Sequence, residues 1–163
     1  MEMQALTKKA RIKFLPLAVL LWAGWCGTGF AAPAQNVTGW WLDQSGRAGI
    51  FIAPCGAALC GAIKWLRNPL DAAGQPRADI HNQDAALRTR PLCGLPMLDS
   101  FAPDGNGGWQ GGHIYDPENG KTYKSVMHLA ADGTLHVRGY IGIPLLGRSE
   151  IWTRPAASLA PCQ

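Results

Sequence analysis

Residues 111–123 read Gly-Gly-His-Ile-Tyr-Asp-Pro-Glu-Asn-Gly-Lys-Thr-Tyr, and no other stretch restricts the fold as strongly. Pro117 fixes one φ angle and Asn119-Gly120 readily takes positive φ, so Asp116–Gly120 is a tight turn between two β-forming runs. Comparable turn sequences recur on both sides: Asp43-Gln44-Ser45-Gly46, Pro103-Asp104-Gly105-Asn106-Gly107 and Ala131-Asp132-Gly133. A chain punctuated this way folds as a meander of short antiparallel strands.

The turns divide the chain into eight predicted strands, at 37–42, 47–53, 59–66, 93–101, 108–116, 121–129, 134–141 and 148–154. No segment sustains a helical period. Eight strands joined mostly by hairpins within about 120 residues imply an all-β, eight-stranded antiparallel up-and-down barrel, with a two-sheet sandwich as the alternative. One segment breaks the meander. Residues 67–91 form a long, polar, turn-rich loop between strands three and four, with one short helical turn expected at 83–88. It is expected to cross one mouth of the barrel.

Alternation of period two assigns faces within the strands. In the seventh, Leu135, Val137, Gly139 and Ile141 share one side and His136, Arg138 and Tyr140 the other. In the sixth, Tyr123, Ser125, Met127 and Leu129 fall together. The eighth is ambiguous: if Trp152 points inward, it takes Arg148, Glu150 and Arg154 with it. Inward charges need partners, from one another or from a polar ligand.

The N-terminus reads as a leader. Lys8, Lys9, Arg11 and Lys13 precede a mostly apolar run from Phe14 to Gly29, followed by Ala31, Ala32 and Ala34. Cleavage is expected after Ala34, or else Ala31, giving residues 1–34 as signal peptide and 35–163 as a single domain, periplasmic or secreted, with no stable membrane insertion. Cys26 is lost with the leader, since the bulky Trp25 before it does not suit lipoprotein processing. Removal leaves 129 of the 163 residues, enough for one domain with a core. It also takes four of the 15 Lys/Arg and one of the 11 Asp/Glu, leaving 11 against 10 and a net charge of +1. Such a chain, without a basic aromatic-interleaved cluster, gives no footprint for nucleic acid.

Cys55, Cys60, Cys93 and Cys162 remain, and an oxidising compartment favours their pairing. Four cysteines allow three pairings. Cys55 with Cys60, across a tight connection, is the first choice, and Cys93 with Cys162 follows by elimination. A zinc site, the competing use, lacks the CxxC spacing or paired histidines it needs.

Gly39-Trp40-Trp41 on the first strand and Trp152-Thr153-Arg154 on the last resemble the Gly-x-Trp signature and terminal arginine of lipocalin-like barrels. That resemblance implies an Arg154 guanidinium packed over Trp41 at a plugged end, as a cation–π pair. A more specific resemblance covers nearly the whole exported chain, to the small exported bacterial proteins of domain-of-unknown-function family 2147. It rests on Cys60-Gly61-x-Ile63-x-Trp65-Leu66, Asp79-x-x-Asn82, Arg90-Pro91-Leu92-x-Gly94-Leu95, Trp109-x-Gly111-Gly112-x-Ile114-Tyr115-Asp116-Pro117, Gly120-Lys121-Thr122-Tyr123 and Val137-Arg138-Gly139-Tyr140. The family's usual Asn-Pro is Asn82-Gln83 here. The resemblance implies a lipocalin-like barrel and supplies no catalytic residues.

Three function classes compete for these residues. An enzyme would need a nucleophile with its base, yet Ser125, Ser149 and the four histidines lie in no Gly-x-Ser-x-Gly or His-Glu-x-x-His context. No catalytic residue, metal or cofactor is assigned. Asp71, Asp79, His81, Asn82 and Asp84 offer oxygen ligands but lack calcium-loop spacing, and read as turn and cap residues. A small-molecule binder is favoured, for an amphipathic or anionic ligand held by Trp65, Tyr115, Tyr123, Met127, Arg138, Tyr140, Arg148, Glu150 and Trp152. The competing reading of these side chains is that they fill the barrel. The alternative function is an envelope interaction or inhibitor module acting through the 67–91 loop, with Asp79, Asn82 and Arg90 as its candidates, toward a protein partner the sequence does not name.

Overall fold

The computed structural model describes residues 36–162, and the leader expected over residues 1–34 lies outside them. The strands are β1 (Gly39–Leu42), β2 (Ala48–Cys55), β3 (Ala58–Leu66), β4 (Pro96–Pro103), β5 (Gly108–Asp116), β6 (Lys121–Leu129), β7 (Leu135–Tyr140) and β8 (Arg148–Trp152). They form one antiparallel sheet in sequential order, β1 to β8. The sheet curls until its two edges meet: the Leu42 N–H donates to the Thr153 carbonyl at 2.8 Å, and the Thr153 N–H donates to the Leu42 carbonyl at 3.1 Å. This is a nearly closed up-and-down barrel, not a sandwich, because no sheet edge is left to divide it.

Two predicted boundaries move for local reasons. The fourth strand begins at Pro96 rather than Cys93, because residues 92–95 turn: the Leu95 N–H donates to the Leu92 carbonyl and the Gly94 N–H to the Ile63 carbonyl. The connection between β3 and β4 therefore runs over residues 67–95. It contains the 3-10 turn Ala85–Leu87, whose first turn is capped by the Asp84 carboxylate accepting from the Ala86 N–H at 2.9 Å. The eighth strand stops at Trp152, since Arg154 leaves the sheet to cover the end of the barrel.

Inward side chains make a single core. Trp41, Ile50, Ile52, Phe101, Leu135 and Trp152 are all completely buried, with Val137, Met127 and Leu98 nearly so. Ser125, also inward, satisfies its hydroxyl by donating to the Arg138 carbonyl at 3.0 Å. Among the sheet's register shifts one changes the pattern of β3 at the mouth: Ile50 pairs with Ile63 but Gly49 pairs with Trp65, so Lys64 is an extra residue in β3. Beyond it the alternation reverses, sending Leu66 inward and Trp65 outward.

The end of the barrel that carries the chain entry, the β2–β3, β4–β5 and β6–β7 turns, and Arg154 is closed. Val37 is buried there, and its carbonyl accepts the Trp41 indole N–H at 2.7 Å. The Arg154 guanidinium lies 3.8 Å from the Trp41 ring centroid and donates to the carbonyls of Thr38, Trp40 and Asn36. Burial lowers its pKa from the ordinary arginine value. Gly39 is needed for two reasons: its φ is +99°, and a Cβ there would stand 3.2 Å from the arginine nitrogen.

Two disulfides are formed. Cys55–Cys60 joins β2 to β3 across their turn, and Cys93–Cys162 ties the C-terminal tail to the β3–β4 connection. The tail runs along the outside of β3, where the Cys162 N–H donates to the Lys64 carbonyl at 2.7 Å and Leu159 sits over Gly49 beside Trp65 and Trp40. Together the two bridges fit an oxidising, extracytoplasmic environment. Among the described residues no helix is long and apolar enough to cross a membrane.

Candidate ligand cavity

At the other end the barrel is open into a cavity of about 1060 Å³. Its floor is apolar, made by Ile63, Met97, Ile114 and Val137 from β3, β4, β5 and β7. Val137 belongs to the sealed core, Met97 and Ile114 pack against it and Ile63 is buried, so the floor of the cavity is the top layer of that core. Above it stand Tyr123, Tyr140, Arg148 and Glu150. Glu150 is oriented from below, its Oε2 accepting the Trp152 indole N–H at 2.9 Å. The buried indole thus holds a carboxylate at the boundary between core and cavity.

The β3–β4 connection forms one wall. Ala78, Ile80 and His81 line the cavity, and the residues between and after them fasten the segment from behind. Asp79 is fully buried. Its carboxylate accepts from Tyr115 Oη at 2.7 and 2.8 Å, from Asn82 Nδ2 at 2.7 Å, and from Arg90 at 2.9 and 2.8 Å. A buried carboxylate with this many donors is satisfied rather than reactive. Burial first, and then the Asp79 carboxylate, raise the Tyr115 phenol pKa. Gly120 completes the anchor. Its φ is +70°, and a Cβ there would overlap the His81 carbonyl oxygen, so the hairpin tip is also a seat for the connection.

Over the opening, Arg47 from the β1–β2 turn pairs with Glu118 from the β5–β6 hairpin at 2.5 Å. These turns are four strands apart in the sheet order, so the pair spans the mouth. Both side chains are well exposed, and such a pair contributes under about 1 kcal/mol.

The expected ligand set separates into four groups. Tyr123, Tyr140, Arg148 and Glu150 come together at the cavity. Met127 and Trp152 lie below it in the packed core, where they touch no open space. Trp65 is turned to the outer surface by the Lys64 bulge. Tyr115 and Arg138 also face outward: Tyr115 holds Asp79, while Arg138 donates to the carbonyls of Pro144 and Leu145 and to Ser149 Oγ. Asp79, Asn82 and Arg90 are brought together, as the anchor behind the wall. The floor residues Ile63, Met97, Ile114 and Val137 were not singled out from sequence, although Val137 shares a face with buried Leu135 and could have been found by that phase.

Among the described residues one group of metal-ligand types lies close together, Cys55, Cys60 and Asp99, and both its sulfurs are committed to a disulfide.

Residues 39–154 match the model of a family described as uncharacterized protein conserved in bacteria, DUF2147. The chain belongs to this family. Among curated proteins none matches it. Among solved structures the chain is similar to protein HP1028 from Helicobacter pylori, described as belonging to the lipocalin family. The TM-score is 0.62 at 20% identity, over 74% of this chain and 84% of that one. This DUF2147 barrel therefore shares the lipocalin fold with that protein.

Proposed function

We propose that this DUF2147 protein binds a small amphipathic ligand in the open end of its barrel, in the periplasm or outside the cell. The observation that carries the reading is the layering of the cavity, with an aliphatic floor beneath Arg148, Glu150, Tyr123 and Tyr140. A ligand with an apolar tail and a polar or anionic head matches that layering, tail down and head against Arg148. The volume, about 1060 Å³, is of the order that encloses a drug-sized molecule. The β3–β4 connection is held as a cavity wall by the Asp79 anchor, which favours this use of it over a free interaction loop.

The test is native mass spectrometry of the exported protein, followed by thermal shift with single-chain fatty acids and lysophospholipids. Retained mass or a ligand-dependent rise in Tm is expected, reduced by Tyr123→Ala and by Arg148→Ala. Absence of both effects across the panel would overturn the reading.

A further inference from the structure

Two charges on the inner wall of the barrel stand apart from the rest. β8 runs from the mouth toward the core, and its inward residues Arg148, Glu150 and Trp152 lie opposite Gly139, Val137 and Leu135 of β7. Trp152 and Leu135 are completely buried and Val137 nearly so, so one strand passes from arginine to carboxylate to sealed core. Two residues of a strand span about 6.5 Å. Among the described residues the ion pairs are Arg47–Glu118 and Arg90–Asp79, so Arg148 and Glu150 pair neither with each other nor with another side chain.

Glu150 is half-buried and only half satisfied. Its Oε2 accepts the Trp152 indole N–H at 2.9 Å, whereas Oε1 takes no hydrogen bond from the described residues. A carboxylate beside apolar Val137 is costly to hold unless a donor meets it. The inward residues of β7 offer none. Gly139 has no side chain, and a Cβ there would stand 3.2 Å from Ile114 Cγ2, so an aliphatic covers that stretch of wall. On the other side β1 has ended, and Gln44 spends its Oε1 on the Ile151 N–H at 3.1 Å.

The other cavity charges are committed or lie at the rim. Arg47 pairs with Glu118, and Asp43, Asp71 and Asp116 accept N–H bonds of their own turns. Arg67 follows the mouth end of β3, and Arg77 lies on the β3–β4 connection with its Nε on the Asn68 carbonyl. From floor to opening the cavity therefore presents aliphatic surface, then one open carboxylate, then Arg148, with Arg67 and Arg77 at the rim.

From this order we infer that the ligand is an amphipathic zwitterion whose cationic centre lies next to its tail. The tail covers the floor, an ammonium meets Glu150, and an acid group beyond it meets Arg148. A charge-assisted N–H···O bond to Oε1 supplies the donor that the barrel lacks. An apolar α-amino acid has this order of groups. A fatty acid lacks the cation, and a phosphocholine lipid reverses the two charges. The inference rests on the cavity being the ligand site and specifies the charges its ligand brings.

The experiment titrates four single-chain probes into exported protein of recorded mass by calorimetry, each below its micellar concentration. They are 2-aminodecanoic acid, decanoic acid, decylamine and decylphosphocholine. The amino acid is expected to bind about tenfold more tightly than any of the others, the size of one charge-assisted hydrogen bond. Glu150→Gln keeps an acceptor for the Trp152 indole and should bring the amino acid to within about twofold of decanoic acid. Arg148→Gln should bring it to within about twofold of decylamine. A changed preference, unlike a general loss of binding, does not follow from a loosened fold. The inference is overturned, with the cavity reading intact, if decanoic acid or decylphosphocholine binds as tightly as the amino acid, or if Glu150→Gln keeps the wild-type preference. It also falls alone if all four probes fail while a longer fatty acid or a lysophospholipid raises the Tm. If no amphiphile binds, both fall.

Discussion

The two ends of this barrel are made from opposite materials. At the closed end, short turns and one stacked Trp41–Arg154 pair seal a dry core, and the Trp41 indole N–H and the Arg154 guanidinium are spent on backbone carbonyls. At the open end, long connections carry charge and exposed aliphatics around a cavity. The largest fully buried side chains, Trp41, Trp152 and Phe101, belong to the sealed core, whereas the mouth wall is held by the Asp79 network and the Cys93–Cys162 bridge.

The sharpest way to break that contrast is Trp41→Ala. It removes one of the two fully buried tryptophans of the core together with the surface on which Arg154 stacks, and should cost about 3–5 kcal/mol in chemical denaturation. A cost under about 1 kcal/mol would show that the closed end does not hold the fold.

At the mouth, Asp79→Ala removes the acceptor shared by Tyr115, Asn82 and Arg90. Its cost should be about 2 kcal/mol, since Arg90 can turn to water once its partner is gone. Hydrogen exchange should quicken over residues 78–95 and stay unchanged in β1 and β8. A uniform rise across the barrel would mean that the two ends are not energetically separate.

A smaller effect is expected from acid. Asp104, in the closed-end turn between β4 and β5, accepts N–H bonds from Asn106 and Gly108, and these hold its carboxyl below the usual range. A depressed carboxyl contributes stability above its unfolded pKa and loses it as pH falls through the folded value. The Tm difference between wild type and Asp104→Asn should therefore be constant above a pH of about 4 and shrink below it. A difference that persists unchanged into stronger acid would remove this turn from the account.

The same contrast governs what could be read from the chain alone. The closed end was legible through the resemblance of Gly39-x-Trp41 and Trp152-Thr153-Arg154 to lipocalin-like barrels, which implies the stacked pair. The hairpin at 116–120 and the alternation in β6 and β7 were legible because turn chemistry and period two are local. The mouth was less so. Trp65 has the phase of an inward residue, and only the extra Lys64, visible in pairing and not in composition, turns it out. Arg138 is claimed by carbonyls of a loop whose course no residue type announces. Tyr115 and Asp79, 36 positions apart, meet because of how a long connection folds back. Such contacts depend on tertiary placement, which period and propensity do not encode.

The Cys93–Cys162 bridge also has a consequence for biogenesis. It closes residues 93–162 into a covalent ring that contains the last five strands, a separation of 69 positions. The chain-entropy relation puts a ring of that length at about 4 kcal/mol, against about 2 kcal/mol for the small Cys55–Cys60 loop. A chain held in a reducing cytosol would fold without that constraint, with its tail unmoored from the mouth wall. Closure of the ring by thiol oxidation is thus a covalent step of assembly, and the yield of finished barrel becomes a measure of thiol oxidation as well as of sequence.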